Sequence, residues 1–269
     1  PHPTRIVRPA SPQPLIQPFS SRVEILKASG CDDVVTLPFD KALSDLSPEA
    51  FWNLVRSDLP DRVLGIFAGK NWRFGAGRCG TLRELAQFSE PDAAVVVGVP
   101  PVVLNGEVIS SSWIRELIRT GDLKSIPQLL GRPFEMSGTV EEGKRLANGW
   151  GFPTANVHPD QECLPPNGVY VGWTFLGEMA PIWSISNLGL RPSLATETTR
   201  ALLEVHLIDF TDDLYGRNLR FIPVHRIREE RRFPSIDALR QQIGLDCAEA
   251  RRLTVNLSKG SDGDLFWTK

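Results

Sequence analysis

From residue 134 to residue 227 the chain carries β-type segments with no helical period between them, and this run constrains the fold more than any other feature. The segments are 134–140, 168–175, 181–186, 202–210 and 219–227, rich in Val, Ile, Phe and Trp and separated by Gly, Asn, Asp and Pro. Strands that follow one another without crossover helices pair antiparallel and close into a barrel or sandwich. Residues 235–253 then read as a closing helix, with Ile236, Leu239 and Ile243 on one face, and the polar stretch 258–264 as a frayed end.

The first half has a different pattern. Residues 1–20 are proline-rich and read as an extended connection, and residues 21–29 as a short helix stopped at Gly30. Residues 33–39, 63–68 and 93–99 read as strands, the last almost wholly apolar, as in a parallel sheet covered on both faces. Between them lie two marked helix starts. Ser47-Pro48-Glu49 combines an N-cap, a proline at N1 and a first-turn acid, and Thr81-Leu82-Arg83-Glu84 forms a capping box. A further helix starts near Ser110, and residues 122–130 form another short one. Alternating helix and strand predicts an α/β domain over residues 1–130, with the β domain over 131–269. In such α/β sheets ligands sit at the carboxyl ends of strands. Two stretches fall there: 69–78, with Asn71 and Arg73, and 109–115, with Ser110, Ser111, Ser112 and Arg115. Serines at a helix start with an arginine one turn in can hold phosphate, and they can equally be ordinary caps.

The formal net charge is −2, from 30 basic and 32 acidic residues, so no broad basic surface invites nucleic acid. No apolar run reaches the roughly 18 residues of a membrane helix. Cys31, Cys79, Cys163 and Cys247 lie far apart and read as reduced thiols of a cytoplasmic protein.

The chemistry concentrates at Gly151-Phe152-Pro153-Thr154-Ala155-Asn156, below a loop containing Gly138, Gly143 and Gly149. In an extended segment Thr154 and Asn156 share a face, and their oxygens are hard donors of the kind Mg²⁺ accepts. A glycine-rich turn leading into a strand explains the same residues. Gly138 to Lys144 matches G-x-x-x-x-G-K, but Arg145 stands where a P-loop needs Ser or Thr, so that motif is rejected. Strand alternation places Glu204 with His206 opposite Leu203, Val205 and Leu207. Glu204 is then either a solvated carboxylate or a proton acceptor. Residues 187–192, with Asn187 and Arg191, read as a loop, either a plain turn or the lining of a pocket. His158, His206 and His225 lack metal-ligand spacing and read as ordinary polar residues.

In order and spacing, Gly138-Thr139-Val140, Gly143, residues 151–156, Gly168-Val169-Tyr170, residues 187–192, residues 203–210 and Asp213-Leu214-Tyr215-Gly216 resemble the riboflavin kinase family. Pro1-His2-Pro3, residues 71–75 with Gly77, Arg78 and Gly80, and residues 109–115 resemble the nucleotidyltransferase domain of the bacterial bifunctional riboflavin kinase/FAD synthetases. The resemblance implies a Rossmann-like α/β nucleotidyltransferase domain followed by a Greek-key β-barrel kinase domain. It implies small-molecule substrates, with ATP and riboflavin giving FMN and FMN adenylylated to FAD, and Mg²⁺ as cofactor. On matching positions, Glu204 would be the general base, Thr154 and Asn156 would hold Mg²⁺ and phosphate, and Gly138, Gly143 and Gly151 would cover the nucleotide. Asn187 and Arg191 would border the flavin. Asn71, Arg73, Ser110, Ser111, Ser112 and Arg115 would serve adenylyl transfer. The family's His-x-Gly-His motif has no counterpart, since no two histidines here stand three apart. The expectation is a natural chain that starts upstream of Pro1, a first domain incomplete at its N-terminus, and little FAD synthesis by these residues. An open sheet edge would then allow weak self-association. A flavin- or nucleotide-binding regulatory protein that has lost catalysis is the second reading.

Overall fold

A computed structural model describes residues 2–59, 63–141, 153–192 and 199–259. The chain divides into two compact units, the first of residues 1–15 and 19–110 and the second of residues 16–18 and 111–269.

In the first unit, α1 (Thr4–Val7) is a single turn in the proline-rich start, and α2 (Phe19–Ala28) ends before Gly30 at φ +97°. After α3 (Lys41–Ser44) comes α4 (Pro48–Ser57), where Ser47 caps as its sequence predicts, its hydroxyl accepting from the Ala50 N–H at 3.1 Å. Strand β1 (Gly65–Gly69) pairs parallel with β2 (Val95–Val99), and α5 (Leu82–Phe88) lies between them in the chain. That is a β-α-β unit, and Thr81 and Glu84 close the capping box that starts its helix. Its core is Trp52, Phe74 and Leu85, with Ile66 and Val96 from one side of the strand pair.

Two expectations fail here. Residues 33–39 form no strand, and Val35 is 60% exposed. The β1–β2 pair is covered on one face only: Phe67 is 71% and Val95 64% exposed. An apolar strand sequence reports capacity for burial on both faces, and only the assembled sheet decides whether both are used. A tight hairpin forms at Asn105-Gly106. Both residues take positive φ between β3 (Val103–Leu104) and β4 (Glu107–Val108), the Asn-Gly signature of a two-residue turn.

The second unit opens with α6 (Ser111–Thr120) and α7 (Ile126–Leu130), each followed by a glycine at positive φ, Gly121 and Gly131. A closed barrel follows from β5 (Met136–Glu141), β6 (Ala155–Val157), β7 (Gly168–Phe175), β8 (Ile182–Pro192), β9 (Thr199–Leu207) and β10 (Asn218–Glu229). The order around it is β10-β5-β6-β9-β8-β7, and every pairing is antiparallel. Strands β7, β8 and β9 form a meander, and β6 lies beside β9, which is a Greek key. Strand β10 closes the cylinder by pairing with both β5 and β7, with register shifts at Pro223/His225 and Arg226/Arg228. Proline is tolerated in this strand because it sits beside such an irregularity.

Residues 187–192, read from sequence as a loop, continue β8. Turn-type residues occupy a strand because each has a partner on β9, from Asn187 opposite Glu204 to Pro192 opposite Thr199. Inside the barrel Tyr170, Leu203, Val205, Leu219 and Phe221 are fully buried. Outside it, α8 (Ile236–Lys259), which runs past the expected end at Leu253, lays Ala250 on Val169, Val171 and Ile185. Asp246, 5% exposed at its side chain, receives Arg228 from β10 at 2.6 Å, tying helix to barrel.

Gly138 needs its hydrogen. A Cβ there would stand 2.6 Å from the His158 carbonyl oxygen, a backbone atom that cannot swing away. Gly138→Ala is expected to cost about 1–3 kcal/mol in denaturant unfolding. Tyr170 provides a pH test. Burial pushes its phenol up to about 12, against the opposing pull of Arg226, and its hydroxyl donates to the Pro166 carbonyl. A raised folded-state pKa means this stability is fully present below the unfolded value near 10 and is lost as pH rises through 12. Stability should therefore fall by about 2–3 kcal/mol over that interval through Tyr170 alone, and Tyr170→Phe should abolish that part of the slope in urea titrations.

Candidate functional site

Strand register brings together several of the candidate residues of the barrel. On β9, Leu203 and Val205 point into the core, so Glu204 between them faces outward. Asn156 of β6 and Asn187 of β8 stand directly opposite Glu204 on its two sides. The three form one row across the outside of the barrel. Thr154 precedes β6 by one residue and is half-buried like Asn156. Two histidines fasten this edge. The His206 ring bonds the Pro153 carbonyl at 2.8 Å, and the His158 ring the Ala201 carbonyl at 2.7 Å, so both stitch the β6 segment to β9. Sequence reading gave them no role, because the bonds join residues distant in the chain.

The Glu204 carboxylate is held from one side. Asn187 Nδ2 and Arg191 Nη2 each donate to Oε2 at 3.2 Å. Among the described residues Oε1 receives no hydrogen bond, and Glu204 keeps 32% side-chain exposure. A carboxylate with one oxygen tethered and the other open is arranged to accept a proton. Arg191 also reaches Glu230 Oε1 through Nη1 at 2.9 Å, and Asn167 Nδ2 donates to Glu230 Oε2 at 3.3 Å. Burial opposes the charge on Arg191, but its bonds to Glu230 and Glu204 prevail and hold its pKa above the usual guanidinium value. Glu230 and Asn167 were not singled out from sequence. The only signal was position: Glu230 comes directly after the last residue of β10, inside the charged stretch 226–232.

Thr154 and Asn156 are half-buried and make no side-chain hydrogen bond among the described residues. No group of three or more His, Cys, Asp or Glu among the described residues could hold a metal ion. A cation here would take Thr154 and Asn156 oxygens together with phosphate oxygens, a donor set that suits Mg²⁺. Gly143 and Gly151 lie outside the described residues. Gly138 lies on β5 and is buried, with the packing reason already given.

The adenylyl-transfer candidates fall in both units. Asn71 and Arg73 are exposed just beyond the carboxyl end of β1, and Ser110 ends the first unit. Ser111 and Ser112 open α6 on the second unit, both exposed, while Arg115 is 6% exposed beside Ile114 and Ile118. Beyond Asn71 the chain makes a stacked pair, Trp72 on Phe74 at 4.6 Å, then turns through Gly75 and Gly77 at positive φ.

Comparison with known proteins fits both halves. Residues 130–254 match the Flavokinase (riboflavin kinase) family model and residues 1–113 the FAD synthetase model. The chain is 36% identical over 227 residues to the bifunctional riboflavin kinase/FMN adenylyltransferase of Pseudomonas fluorescens, covering 84% of this chain and 72% of that one. It is 30% identical over 263 residues to the protein so named from Bacillus subtilis, covering 96% and 82%. A crystal structure described as a macrolide-efflux protein from Streptococcus pneumoniae aligns with a TM-score of 0.72 and 27% identity, covering 88% of this chain and 75% of that one. No described helix is long and apolar enough to cross a membrane. With both models matched in order and relatives of this identity covered over more than two thirds of their length, the chain belongs to the bifunctional riboflavin kinase/FMN adenylyltransferase family.

Proposed function

We propose that the barrel transfers the γ-phosphoryl group of ATP to the ribityl 5′-hydroxyl of riboflavin, with Glu204 as general base. The observation that carries this reading is the one-sided tether of Glu204, two donors on Oε2 and none on Oε1 among the described residues. The hydroxyl proton passes to Oε1 as the oxygen attacks phosphorus, and ADP leaves. Phosphoryl transfer asks the protein for positioning and charge neutralisation more than for covalent chemistry. Thr154 and Asn156 would hold Mg²⁺, which when bound neutralises charge on the phosphates. Gly143 and Gly151 would line the phosphates with backbone N–H groups, with Gly138 at the base of that loop. Asn187 orients Glu204, and flavin contact by Asn187 and Arg191 belongs to the same reading.

The functional division at residues 130/131 separates this activity from FMN adenylylation in the α/β part, for which Asn71, Arg73, Ser110, Ser111, Ser112 and Arg115 are the proposed nucleotide donors. Substrates are small molecules, with a cytoplasmic location and no nucleic-acid or membrane partner. The exposed Phe67 and Val95 favour weak self-association.

FMN formation from riboflavin, ATP and Mg²⁺, followed by chromatography, tests the base. Glu204→Gln is expected to lower kcat by roughly 10²- to 10⁴-fold while riboflavin still binds. A variant with parental kcat would sink the assignment. Asn156→Ala should raise the Mg²⁺ concentration needed for half-maximal rate by about tenfold or more, and an unchanged Mg²⁺ titration would remove Asn156 from the cation site.

A further inference from the structure

Arg191 is shared between two acids, and the second is built in with care. Its guanidinium spans Glu204 on one nitrogen and Glu230 on the other. The Glu230 carboxylate lies over Gly189 of β8: a Cβ on that glycine would meet Glu230 Oε1 at 2.4 Å, and the three nearest atoms all belong to Glu230. Gly189 is not at positive φ, so its backbone does not require glycine. What it provides is room for this carboxylate. The far oxygen of Glu230 is fixed by Asn167, whose own carbonyl accepts from Arg226 Nη2 at 2.5 Å. The chain of bonds therefore runs from β10, through the entry to β7, back across β8 to Glu204 on β9.

We propose that Glu230, seated on Gly189, is a positioning residue for phosphoryl transfer: it anchors Arg191 so that the guanidinium holds Glu204 by Oε2 and leaves Oε1 turned to the substrate hydroxyl. The inference rests on the reading of Glu204 as general base. It also changes the part given to Arg191. A guanidinium fork engaged by two carboxylates and the Leu190 carbonyl acts on the base rather than on the flavin ring. Without Glu230, Arg191 has one anchor fewer, and both it and Glu204 gain rotamers that turn Oε1 away. Misplacing a catalytic group by about 1 Å is enough to cost roughly 10²-fold in rate.

The test uses the full chain, steady-state FMN formation at saturating ATP and Mg²⁺, and four variants. Glu230→Gln keeps the volume and removes the charge. Gly189→Ala keeps Glu230 and displaces it, and because the contact is with a side-chain end, the barrel has no backbone clash to absorb. Each is expected to lower kcat by roughly 10- to 100-fold with the riboflavin KM within about twofold of the parent. The double variant Gly189→Ala/Glu230→Gln is expected to be no slower than Glu230→Gln, because both changes undo one contact. Parental kcat in Glu230→Gln and Gly189→Ala, or an effect confined to KM, overturns the inference, the latter in favour of a flavin contact. Glu204→Gln separates the two claims. If it keeps parental kcat, the base reading itself has failed; if it is inactive while Glu230→Gln is parental, only the positioning inference has. Thermal melts accompany each variant, and should Glu230→Gln fail to fold, Gly189→Ala decides.

Discussion

Closure of the barrel through β10 is the constraint on which the second unit depends. A strand that pairs with β5 on one side and β7 on the other leaves no free edge, and it fixes the register of every strand between them. Register in turn decides which residues are inside. Because side chains alternate with period two, a one-residue slip of β9 would drive Glu204 into the core and expose Leu203, Val205 and Leu207 instead. Hydrophobic burial inside the barrel thus enforces the polar row outside it. The two irregularities in β10 serve the same end, bending one strand enough to join the two sides.

The outer surface is shared between two uses. Over Val169, Val171 and Ile185 it is apolar and takes α8, held by the ion pair of Arg228 with the buried Asp246. Further along β8 and across β9 and β6 it turns polar and carries Asn187, Glu204 and Asn156. Val169 and Asn187 are themselves register partners, so the boundary between the helix footprint and the polar row is a single pair of residues. Glu204 therefore sits beside rigid packing while its side chain stays partly exposed. Its supporting bonds run through Arg191 and Glu230 rather than through the core.

Much of this was legible in the sequence, for definable reasons. Period-two alternation in residues 203–207 carried the facing of Glu204, because one face is fully buried and the pattern is unbroken. Local capping chemistry located α4 and α5 to the residue at their starts, since Ser47 and Thr81 bond within their own first turn. What stayed hidden depended on distant partners. Residues 187–192 look like a loop until β9 supplies a partner for each of them. Gly138 looks like part of a phosphate loop until the His158 carbonyl is seen against it. Residues 33–39 have strand composition and no strand beside them among the described residues. Glu230 was hidden in a charge run, and only its contact with Gly189 and Arg191 distinguishes it from the solvated acids around it.

The row Asn156–Glu204–Asn187 crosses strands rather than following one, and its pitch is therefore set by the hydrogen-bonded ladder. Neighbouring strands stand about 4.8 Å apart whatever their side chains. An amide, a carboxylate and a second amide on successive rungs form a ruler that substitution can blunt but not rescale. Lengthening a side chain moves its tip by a methylene, and moving a rung means rebuilding the barrel. The surrounding surface can change side chain by side chain, while the spacing of these three groups stays where the backbone puts it.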